Sequence, residues 1–577
     1  MSQRIAFWIV PLIVAGAASA VLAQATQSTQ PITVPMYGVY EVVLKSDVPL
    51  KNPFWDAEAQ ATFASPSGKE THVGGFYYGP GEWRVRFVPR EEGAWKYVAT
   101  LKSPPRSAPY ANVSQAGAFA CRGKSRDGFL RLSKVNPYRM EYETGKPFYG
   151  VGIQTCGVVE KVDFDGPDAD GKWRAVPVAE WAKAFEGAVN LVRIQLGNGN
   201  ESGCAVPLLP AEKRGPKGKL VPNPRYAEVC PDGVGDRYDC ELAAKLDEAY
   251  RLHRAAGFSE MLILFQDMSA FGRQETAFGP TTSLEKYKSP TAESMPLQEK
   301  YIRYVVARYA AFVDIWEIFN EDSYATPEYL AHLHKVIRAA DPYGHIITSN
   351  FSLYDQPFCE IITPHEYVTV PANEIDIHLA KEIAAYKSYG KPVQYSEFGN
   401  KGSLSNVDPV KWRLAAWTAF MNECGMLYWS MSGTKTEPKA GALSGNSNTY
   451  IGPDTREHLR AFHQLTGDLP IDLRPRYVYP GFMDLRFYAL GNGKQAIVYV
   501  HHYKDHQTEC KPQQITVDTG AGAFRVSWYD PETGKPLGEP KTQTTRQRFL
   551  SLRTPAFKID AVCRLDRVED AASQRGE

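Results

Sequence analysis

The sequence has no excess of charge of either sign. Its 577 residues include 65 Lys and Arg and 65 Asp and Glu, which gives a formal net charge of +0 and a pI near 7.2. Proteins that bind nucleic acid or an anionic membrane surface usually carry a basic surface. The composition therefore gives no electrostatic reason to expect either partner.

Long apolar runs are also absent beyond the N-terminus, where no stretch of 18 apolar residues occurs. The N-terminus itself has the pattern of a secretory signal, with Arg4 followed by an apolar segment and by small residues up to Ala23. Pro11 and Gly16 interrupt the apolar segment, which disfavours a membrane anchor. We expect a signal peptide over residues 1–23 and a secreted or periplasmic mature protein without membrane insertion.

Cysteine patterns typical of metal sites are missing. None of the nine cysteines forms a Cys-x-x-Cys pair or a Cys and His cluster with zinc spacing, and we expect no metal and no cofactor. In an exported protein the cysteines are instead candidates for disulfides, although the sequence leaves their connectivity open. The candidate pairs are Cys230–Cys240 or Cys204–Cys230, and Cys510–Cys563.

The periodicity of the sequence divides the chain into three modules. From residue 32 to 123, short alternating strands separated by Gly, Pro and Asp turns predict an antiparallel β-sandwich. From 140 to 465, eight predicted strands alternate with helices, which favours a closed (β/α)₈ TIM barrel over an open sheet. The first predicted strand covers 148–153 and the fifth 346–350, and Asp239 and the Asp408-Pro409 pair are expected to start two of the helices. From 470 to 566 the alternation returns and predicts a second antiparallel β-sandwich. The predicted fold class is therefore α/β, with flanking β modules.

Two apolar runs in the predicted barrel each carry a glutamate to the end of a strand. These runs are Asp314–Glu321 and Pro392–Gly399, and the stretch between Glu321 and Glu397 has room for about two βα units. Barrels of this class carry their chemistry at the C-terminal ends of their strands. Hydrolysis of a glycosidic bond requires two carboxyl groups that flank the bond. The two glutamates are thus candidates for this chemistry.

The two motifs resemble those of the clan-A glycoside hydrolases, which include glycoside hydrolase family 5. Trp316–Glu321 resembles the fourth-strand motif, whose Asn-Glu pair carries the acid/base, and Tyr395–Gly399 resembles the seventh-strand nucleophile motif. Three further matches follow in the right order over residues 145 to 465. They are Gly187–Arg193 for the second strand, His365–Tyr367 for the sixth and Leu427–Ser430 for the eighth.

The resemblance implies a role for each matching residue. Glu321 would be the general acid/base and Glu397 the nucleophile of a retaining mechanism, with carboxyl groups about 5–5.5 Å apart. The glutamate at position 317 is expected to be structural. The implied substrate-binding residues are Arg193 and Tyr367, which also stabilise the Glu397 charge, Asn320 for the 2-hydroxyl, His365, and Trp429 as a sugar platform.

An acid/base role for Glu321 requires a raised pKa, because the group must hold a proton before it donates one. A partly apolar site and the neighbouring charge of Glu397 are both expected to raise it.

The predicted partner is a polysaccharide or oligosaccharide. Two long loops, over residues 197–239 and 266–296, are expected to stand above the strand ends and to wall a cleft. The N-terminal module resembles an uncharacterised β-sandwich that often precedes such barrels in bacterial polysaccharide enzymes. Its expected role is packing against the barrel or sugar binding.

Other functions are compatible with parts of the sequence. A non-catalytic carbohydrate-binding protein on the same scaffold is the main alternative, although the presence of both glutamates argues against it. A transglycosylase uses the same residues as a hydrolase. A polysaccharide lyase would need a different constellation of Tyr, His and Lys.

Overall fold

The computed structural model describes most of residues 32–568, and the predicted signal peptide lies outside this range. Most of the two loops predicted to wall a cleft also lies outside the described residues. No helix within the described chain is long and apolar enough to cross a membrane. The ranges within 32–568 that are not described are 104–110, 156–160, 163, 167, 171–173, 196–211, 215–219, 223, 234–235, 266–293, 322–324, 351–352, 401–406, 430–449 and 481–483.

The N-terminal module consists of two β-sheets around one hydrophobic core. Its strands are β1 (Thr33–Met36), β2 (Tyr40–Lys45), β3 (Glu58–Ala64), β4 (Glu70–Gly74), β5 (Phe76–Gly79), β6 (Glu82–Phe87), β7 (Gly93–Lys102) and β8 (Asn112–Lys124). One sheet has the order β1-β8-β7-β3-β4 and the other β2-β6-β5, antiparallel except between β1 and β8. Buried and exposed side chains alternate along β7, which places Trp95 and Tyr97 in the core with Phe63 and Phe87.

A small antiparallel sheet links this module to the barrel. It contains β9 (Leu130–Leu132), β10 (Met140–Tyr142) and β11 (Pro147–Phe148). Leu130, Met140 and Phe148 pack with Met261 and Ile315, which lie near the starts of two barrel strands. The small sheet therefore covers the end of the barrel opposite to the predicted site. Phe148 was expected to begin the first barrel strand and instead pairs with Met140.

Eight parallel strands form the central sheet. They are β12 (Val151–Thr155), β15 (Leu191–Gln195), β18 (Ser259–Phe265), β19 (Ile315–Phe319), β20 (Ile346–Thr348), β21 (His365–Val368), β22 (Val393–Asn400) and β23 (Cys424–Tyr428). Two separate hairpins lie between these strands in the sequence: β13 (Lys161–Val162) with β14 (Ala175–Val176), and β16 (Glu212–Arg214) with β17 (Leu220–Pro222). The order of the eight parallel strands in the sheet is β20-β19-β18-β15-β12-β23-β22-β21. Chain neighbours are sheet neighbours and the first strand lies beside the eighth, which is the order of a TIM barrel. The predicted parallel α/β domain is confirmed.

Side chains contribute to the seam between β20 and β21. The Thr348 hydroxyl donates to the carbonyl oxygen of Ile361 at 2.8 Å, and the Asn350 amide donates to that of Thr363. A backbone bond from Glu360 N–H to the oxygen of Ile347 at 2.9 Å joins the same segments. The seam is thus closed by specific residues as well as by backbone.

Helices follow the strands and pack outside the sheet. Asp239, Thr326 and Asp408 cap three of them by accepting hydrogen bonds from backbone N–H groups of the first turn. Pro327 and Pro409 occupy first-turn positions, where a missing N–H costs nothing. The helices are α1 (Val178–Phe185), α2 (Pro224–Val229), α3 (Cys240–Ala255), α4 (Ser294–Tyr309), α5 (Pro327–Ala340), α6 (Ile375–Lys387), α7 (Pro409–Met421) and α8 (Pro453–Thr466).

A buried ion cluster fixes the N-terminal module to the barrel. Arg86 on β6 donates to both carboxylate oxygens of Asp247 on α3, at 2.8 and 2.6 Å. Arg308 on α4 binds the same carboxylate at 3.0 and 2.8 Å. The three side chains are at most 1% exposed. Because removal of one partner would leave a buried charge unpaired, these contacts hold the two surfaces in a specific arrangement.

The C-terminal module also consists of two sheets around one core. Its strands are β24 (Arg474–Pro475), β25 (Val478–Pro480), β26 (Arg486–Gly491), β27 (Gln495–His501), β28 (Gln514–Asp518), β29 (Gly522–Tyr529), β30 (Lys541–Thr545), β31 (Phe549–Arg553) and β32 (Asp560–Arg567). The sheet orders are β24-β26-β27-β32-β29-β30 and β25-β28-β31, all antiparallel. Arg413 on α7 contacts Asp560 at 2.9 Å, which ties this module to the barrel.

The candidate disulfides are not formed in the structure. Cys230, Cys240, Cys510 and Cys563 are free thiols, and Cys204 lies outside the described residues. Cys563 on β32 pairs with Val498 on one neighbouring strand and with Trp528 on the other. Cys510 instead pairs through its backbone with Phe557, in an isolated β-bridge. The strand pairing thus gives the two C-terminal thiols different neighbours, although both belong to one core.

Candidate active site

The barrel brings the ends of β15, β19, β21 and β22 to one edge. His365 lies in register with Glu397 on the neighbouring strand, and Glu317 on β19 is level with Ile263 on β18. Because parallel strands end at the same edge of a sheet, side chains far apart in the sequence meet there.

Arg193 is the central cation of this edge. Its Nε and Nη2 atoms donate to the two carboxylate oxygens of Glu317 at 2.7 and 2.6 Å. Nη1 donates to Glu397 Oε1 at 2.8 Å, and Nη2 also donates to Asn320 Oδ1 at 2.6 Å. Burial alone would lower the pKa of Arg193, but the charges of Glu317 and Glu397 raise it above its ordinary value. The guanidinium group therefore stays charged.

Glu397 is held from two sides. Arg193 binds one carboxylate oxygen and the Tyr367 hydroxyl donates to the other. The Glu397 side chain is 8% exposed. A Cβ atom on Gly399 would lie 2.8 Å from the carbonyl oxygen of Trp429 and 3.3 Å from Tyr367 Cδ1. Glycine at this position therefore lets β22 approach its neighbours closely.

Glu321 is less enclosed, with 30% of its side chain exposed. Its φ of 49° lies in the left-handed region, which costs about 1–2 kcal/mol for an L-residue. Its backbone N–H donates to Asn350 Oδ1 at 3.0 Å, and its carboxylate Oε1 lies 2.8 Å from His365 Nδ1. The chain thus turns directly after β19 and directs the carboxyl group back over the strand ends.

Burial shifts several proton equilibria in the site. It raises the pKa of the Glu321 carboxyl group, although the charge of Arg193 opposes the shift. It lowers the pKa of the His365 imidazole to about 3, so the ring is neutral near pH 7. It also raises the pKa of Glu317, and the charges of Glu397 and Glu321 add to that effect against Arg193. The expected rise at Glu321 is found, but its cause is burial and not the charge of Glu397.

The structure brings the predicted residues together at this edge. Hydrogen bonds connect Arg193 with Asn320 and Glu397, Glu397 with Tyr367, and His365 with Glu321. Trp429 lies directly after β23, is 7% exposed, and donates its backbone N–H to the oxygen of Phe398 at 2.9 Å.

Two residues of the site were not assigned a role in it from the sequence. Glu317 was expected to be structural, and it binds Arg193 through both carboxylate oxygens. Asn350 was placed in a strand without a function, and it binds the backbone of Glu321. The contact between Glu317 and Arg193 could have been predicted, because the two strand motifs carry side chains of opposite charge. The contact between Asn350 and Glu321 could not, because it depends on a turn that no local pattern predicts.

The site also contains a donor set that suits a metal ion. One ligand atom each from Glu321, His365 and Glu397 lies within 4.8 Å of the others. Imidazole and carboxylate ligands suit zinc and related ions. The same atoms also fit a site without a metal, in which His365 Nδ1 is hydrogen-bonded to Glu321 and lies 3.5 Å from Glu397, and the sequence predicts no metal.

Comparison with known proteins supports the fold. A family described as a domain of unknown function (DUF5060) matches residues 33–102. A candidate glycoside hydrolase from Bacteroides vulgatus ATCC 8482 has a similar structure, with a TM-score of 0.63, 16% identity, and coverage of 93% of this chain and 100% of that chain.

Lower similarity extends to two other solved structures. A glycoside hydrolase family 5 mannosidase from Rhizomucor miehei has a TM-score of 0.41 and 14% identity, covering 58% of this chain and 97% of that chain. An endo-1,4-β-D-mannanase from Thermotoga petrophila RKU-1 has a TM-score of 0.37 and 15% identity, covering 55% of this chain and 100% of that chain. No curated protein matches the sequence significantly.

Proposed function

We propose that the protein is a secreted, retaining O-glycoside hydrolase of the clan-A type that cleaves a polysaccharide or oligosaccharide by double displacement. The observation that carries the proposal is the pair Glu321 and Glu397, which have carboxylate oxygens within 4.8 Å of each other at the ends of two barrel strands. Retaining glycosidases hold their two carboxyl groups about 5–5.5 Å apart, whereas inverting enzymes need more room for a water molecule.

Glu397 is the proposed nucleophile. Arg193 and Tyr367 donate hydrogen bonds to its two oxygens and hold the carboxylate in one orientation. An ionised carboxylate held in this orientation is the form that attacks the anomeric carbon. The product of this step is a covalent glycosyl–enzyme intermediate.

Glu321 is the proposed general acid/base. Its raised pKa keeps a proton available for the leaving oxygen in the first step. In the second step the ionised group removes a proton from the water that hydrolyses the intermediate. Its partial exposure is consistent with contact to both the leaving group and water.

Asn320, His365 and Trp429 complete the proposed substrate site. Because Asn320 Oδ1 accepts from Arg193, the amide Nδ2 group is the part able to donate to a 2-hydroxyl. A contact to this hydroxyl strengthens in the transition state. We propose Trp429 as the sugar platform on the eighth strand.

The flanking modules are proposed to be β-sandwiches, with bounds of 32–123 and 470–566, around a barrel over 140–465. Each has two sheets that share one core, which supports this assignment. The buried contact between Arg86 and Asp247 supports a packing role for the N-terminal module. Export is part of the proposal, on the signal-peptide pattern over residues 1–23.

The proposal is tested by screening the purified protein on plant and algal β-glycans with product sizing, together with Glu321→Ala and Glu397→Ala. Each variant should lose several orders of magnitude in rate on the glycan that the wild type cleaves. Glu366→Ala is the matched control, because Glu366 lies beside His365 on β21 but contacts His378. Near-wild-type activity of the Glu397 variant contradicts the nucleophile assignment.

The stereochemistry is tested with azide. Glu321→Ala should still form the covalent intermediate from an aryl glycoside with a good leaving group, and azide should release a glycosyl azide of retained configuration. An azide product of inverted configuration contradicts the retaining mechanism.

A further inference from the structure

Asn350 links the backbone at Glu321 to the segment that leads into β21, the strand that carries His365. Its side-chain oxygen accepts the backbone N–H of Glu321 at 3.0 Å, and its side-chain nitrogen donates to the carbonyl oxygen of Thr363. Its own backbone N–H donates to the oxygen of Phe319 at 3.2 Å. Asn350 is 1% exposed, so water does not compete for these bonds.

The chemistry of the two partners fixes the orientation of the amide. A backbone N–H can only donate and a carbonyl oxygen can only accept, so Oδ1 must face Glu321 and Nδ2 must face Thr363. An aspartate would keep the acceptor and lose the donor, and an alanine would lose both.

Thr363 connects this amide to the second carboxylate as well. Its carbonyl oxygen also accepts the Ser396 hydroxyl at 3.1 Å, and Ser396 directly precedes Glu397. A chain of three bonds thus runs from the backbone of Glu321 through Asn350 and Thr363 to the residue beside Glu397. It crosses the β20–β21 seam, where side chains help to close the barrel.

The backbone of Glu321 needs such a support. Its φ of 49° is a conformation that L-residues rarely adopt, and it persists only where the surroundings impose it. A hydrogen bond to the N–H of Glu321 itself acts directly on the turn that sets the direction of the carboxyl group.

We propose that Asn350 is a positioning residue that holds the Glu321 carboxyl group at its working distance from Glu397. The inference rests on the proposed function, because the working distance is that of an acid/base and a nucleophile. Asn350 acts through the backbone of Glu321 and does not itself touch the reacting atoms.

The test compares Asn350→Ala and Asn350→Asp with the wild type on the cleaved glycan and on an activated aryl glycoside. A misplaced acid should cost roughly 100-fold in kcat/KM on the glycan but at most about threefold on the aryl substrate, which needs little protonation. Azide should accelerate turnover of the aryl glycoside by the alanine variant. The aspartate variant keeps the bond to Glu321 and should show a smaller loss of activity on the glycan. It provides the test if the alanine variant does not fold.

Asn190→Ala is the matched control. Asn190 bridges two backbone groups in the same way, accepting from Val151 N–H at 2.9 Å and donating to the oxygen of Tyr149 at 2.9 Å, but it lies at the starts of the strands. The Asn190→Ala variant should change kcat/KM on the glycan and on the aryl glycoside by the same factor. Equal losses on both substrates for the Asn350 variants would mean a merely structural role and overturn the proposal.

A crystal structure of Asn350→Ala separates this inference from the proposed function. If the wild type cleaves no glycoside, the proposed function fails, but the position of Glu321 remains measurable. The Glu321 carboxyl group should move out of hydrogen-bond distance of His365 Nδ1. An unchanged position of Glu321 overturns the inference whatever the activity.

Discussion

His365 Nδ1 lies 2.8 Å from Glu321 Oε1, and the same nitrogen lies 3.5 Å from an oxygen of Glu397. The imidazole ring thus stands between the two carboxyl groups. Because burial lowers its pKa to about 3, it does so as a neutral group near pH 7. The ring therefore adds no charge between them.

Activity should follow a bell-shaped pH profile whose alkaline limb belongs to Glu321. Burial raises the pKa of this group, so the protonated acid persists above the usual range of a glutamate. Measured as kcat/KM on the cleaved glycan, the alkaline limb should disappear in Glu321→Gln, at a much lower residual rate. If the alkaline limb survives in this variant, it belongs to a group other than Glu321.

Glu321→Gln should also be more stable than the wild type at neutral pH. The folded protein binds the Glu321 proton more tightly than the unfolded chain, so wild-type stability falls as pH rises from the unfolded pKa through the folded pKa. The difference in Tm should therefore be smallest below the unfolded pKa, near 4, and largest above the folded one. Thermal melts across this pH range measure it, with Glu366→Gln on β21 as the control.

Arg193→Met should destabilise the protein strongly. The change leaves two carboxylates, Glu317 and Glu397, buried without their cation, and loss of one partner of a buried pair costs about 3–5 kcal/mol. Urea denaturation would show this loss. A double variant that adds Glu317→Gln should recover part of the stability but no activity, because Glu397 still lacks its partner. Full recovery of activity would contradict the role of Arg193.

Tyr367→Phe should reduce both activity and stability. It removes one hydrogen bond to the Glu397 carboxylate, and such a bond to a charged group contributes about 1.5–3 kcal/mol to stability; the same free energy lost from the transition state is roughly 10- to 100-fold in kcat/KM. The ring remains, so its packing changes little. Kinetics and Tm of the same preparation distinguish a catalytic loss from unfolding.

Chelation should leave activity unchanged, because the proposed mechanism uses two carboxyl groups and no metal. Dialysis against EDTA followed by assay on the glycan tests this expectation. Added Zn²⁺ should inhibit, since Glu321, His365 and Glu397 offer three ligand atoms within 4.8 Å. Loss of activity with EDTA that Zn²⁺ restores would reverse the assignment.

The sequence alone determined the existence and order of the main elements. Alternating apolar residues indicated the β modules, and strand–helix alternation indicated the barrel, because these patterns follow from which face of an element is buried. Capping residues such as Asp239 and the Asp408-Pro409 pair placed helix starts correctly, since a cap is a local interaction. Strand ends were less accurate: Phe148 fits a strand pattern, but its partner in space is Met140.

The tertiary structure alone decided how the site is supported. Whether Glu317 binds Arg193, whether Cys510 reaches Cys563, and which amide supports the turn at Glu321 all depend on contacts between distant segments. The conformation of Glu321 is unfavourable by itself, so no local propensity predicts it. Asn350, two residues after β20 and 29 residues away in sequence, supports it with a hydrogen bond, because the barrel places the ends of β19 and β20 side by side.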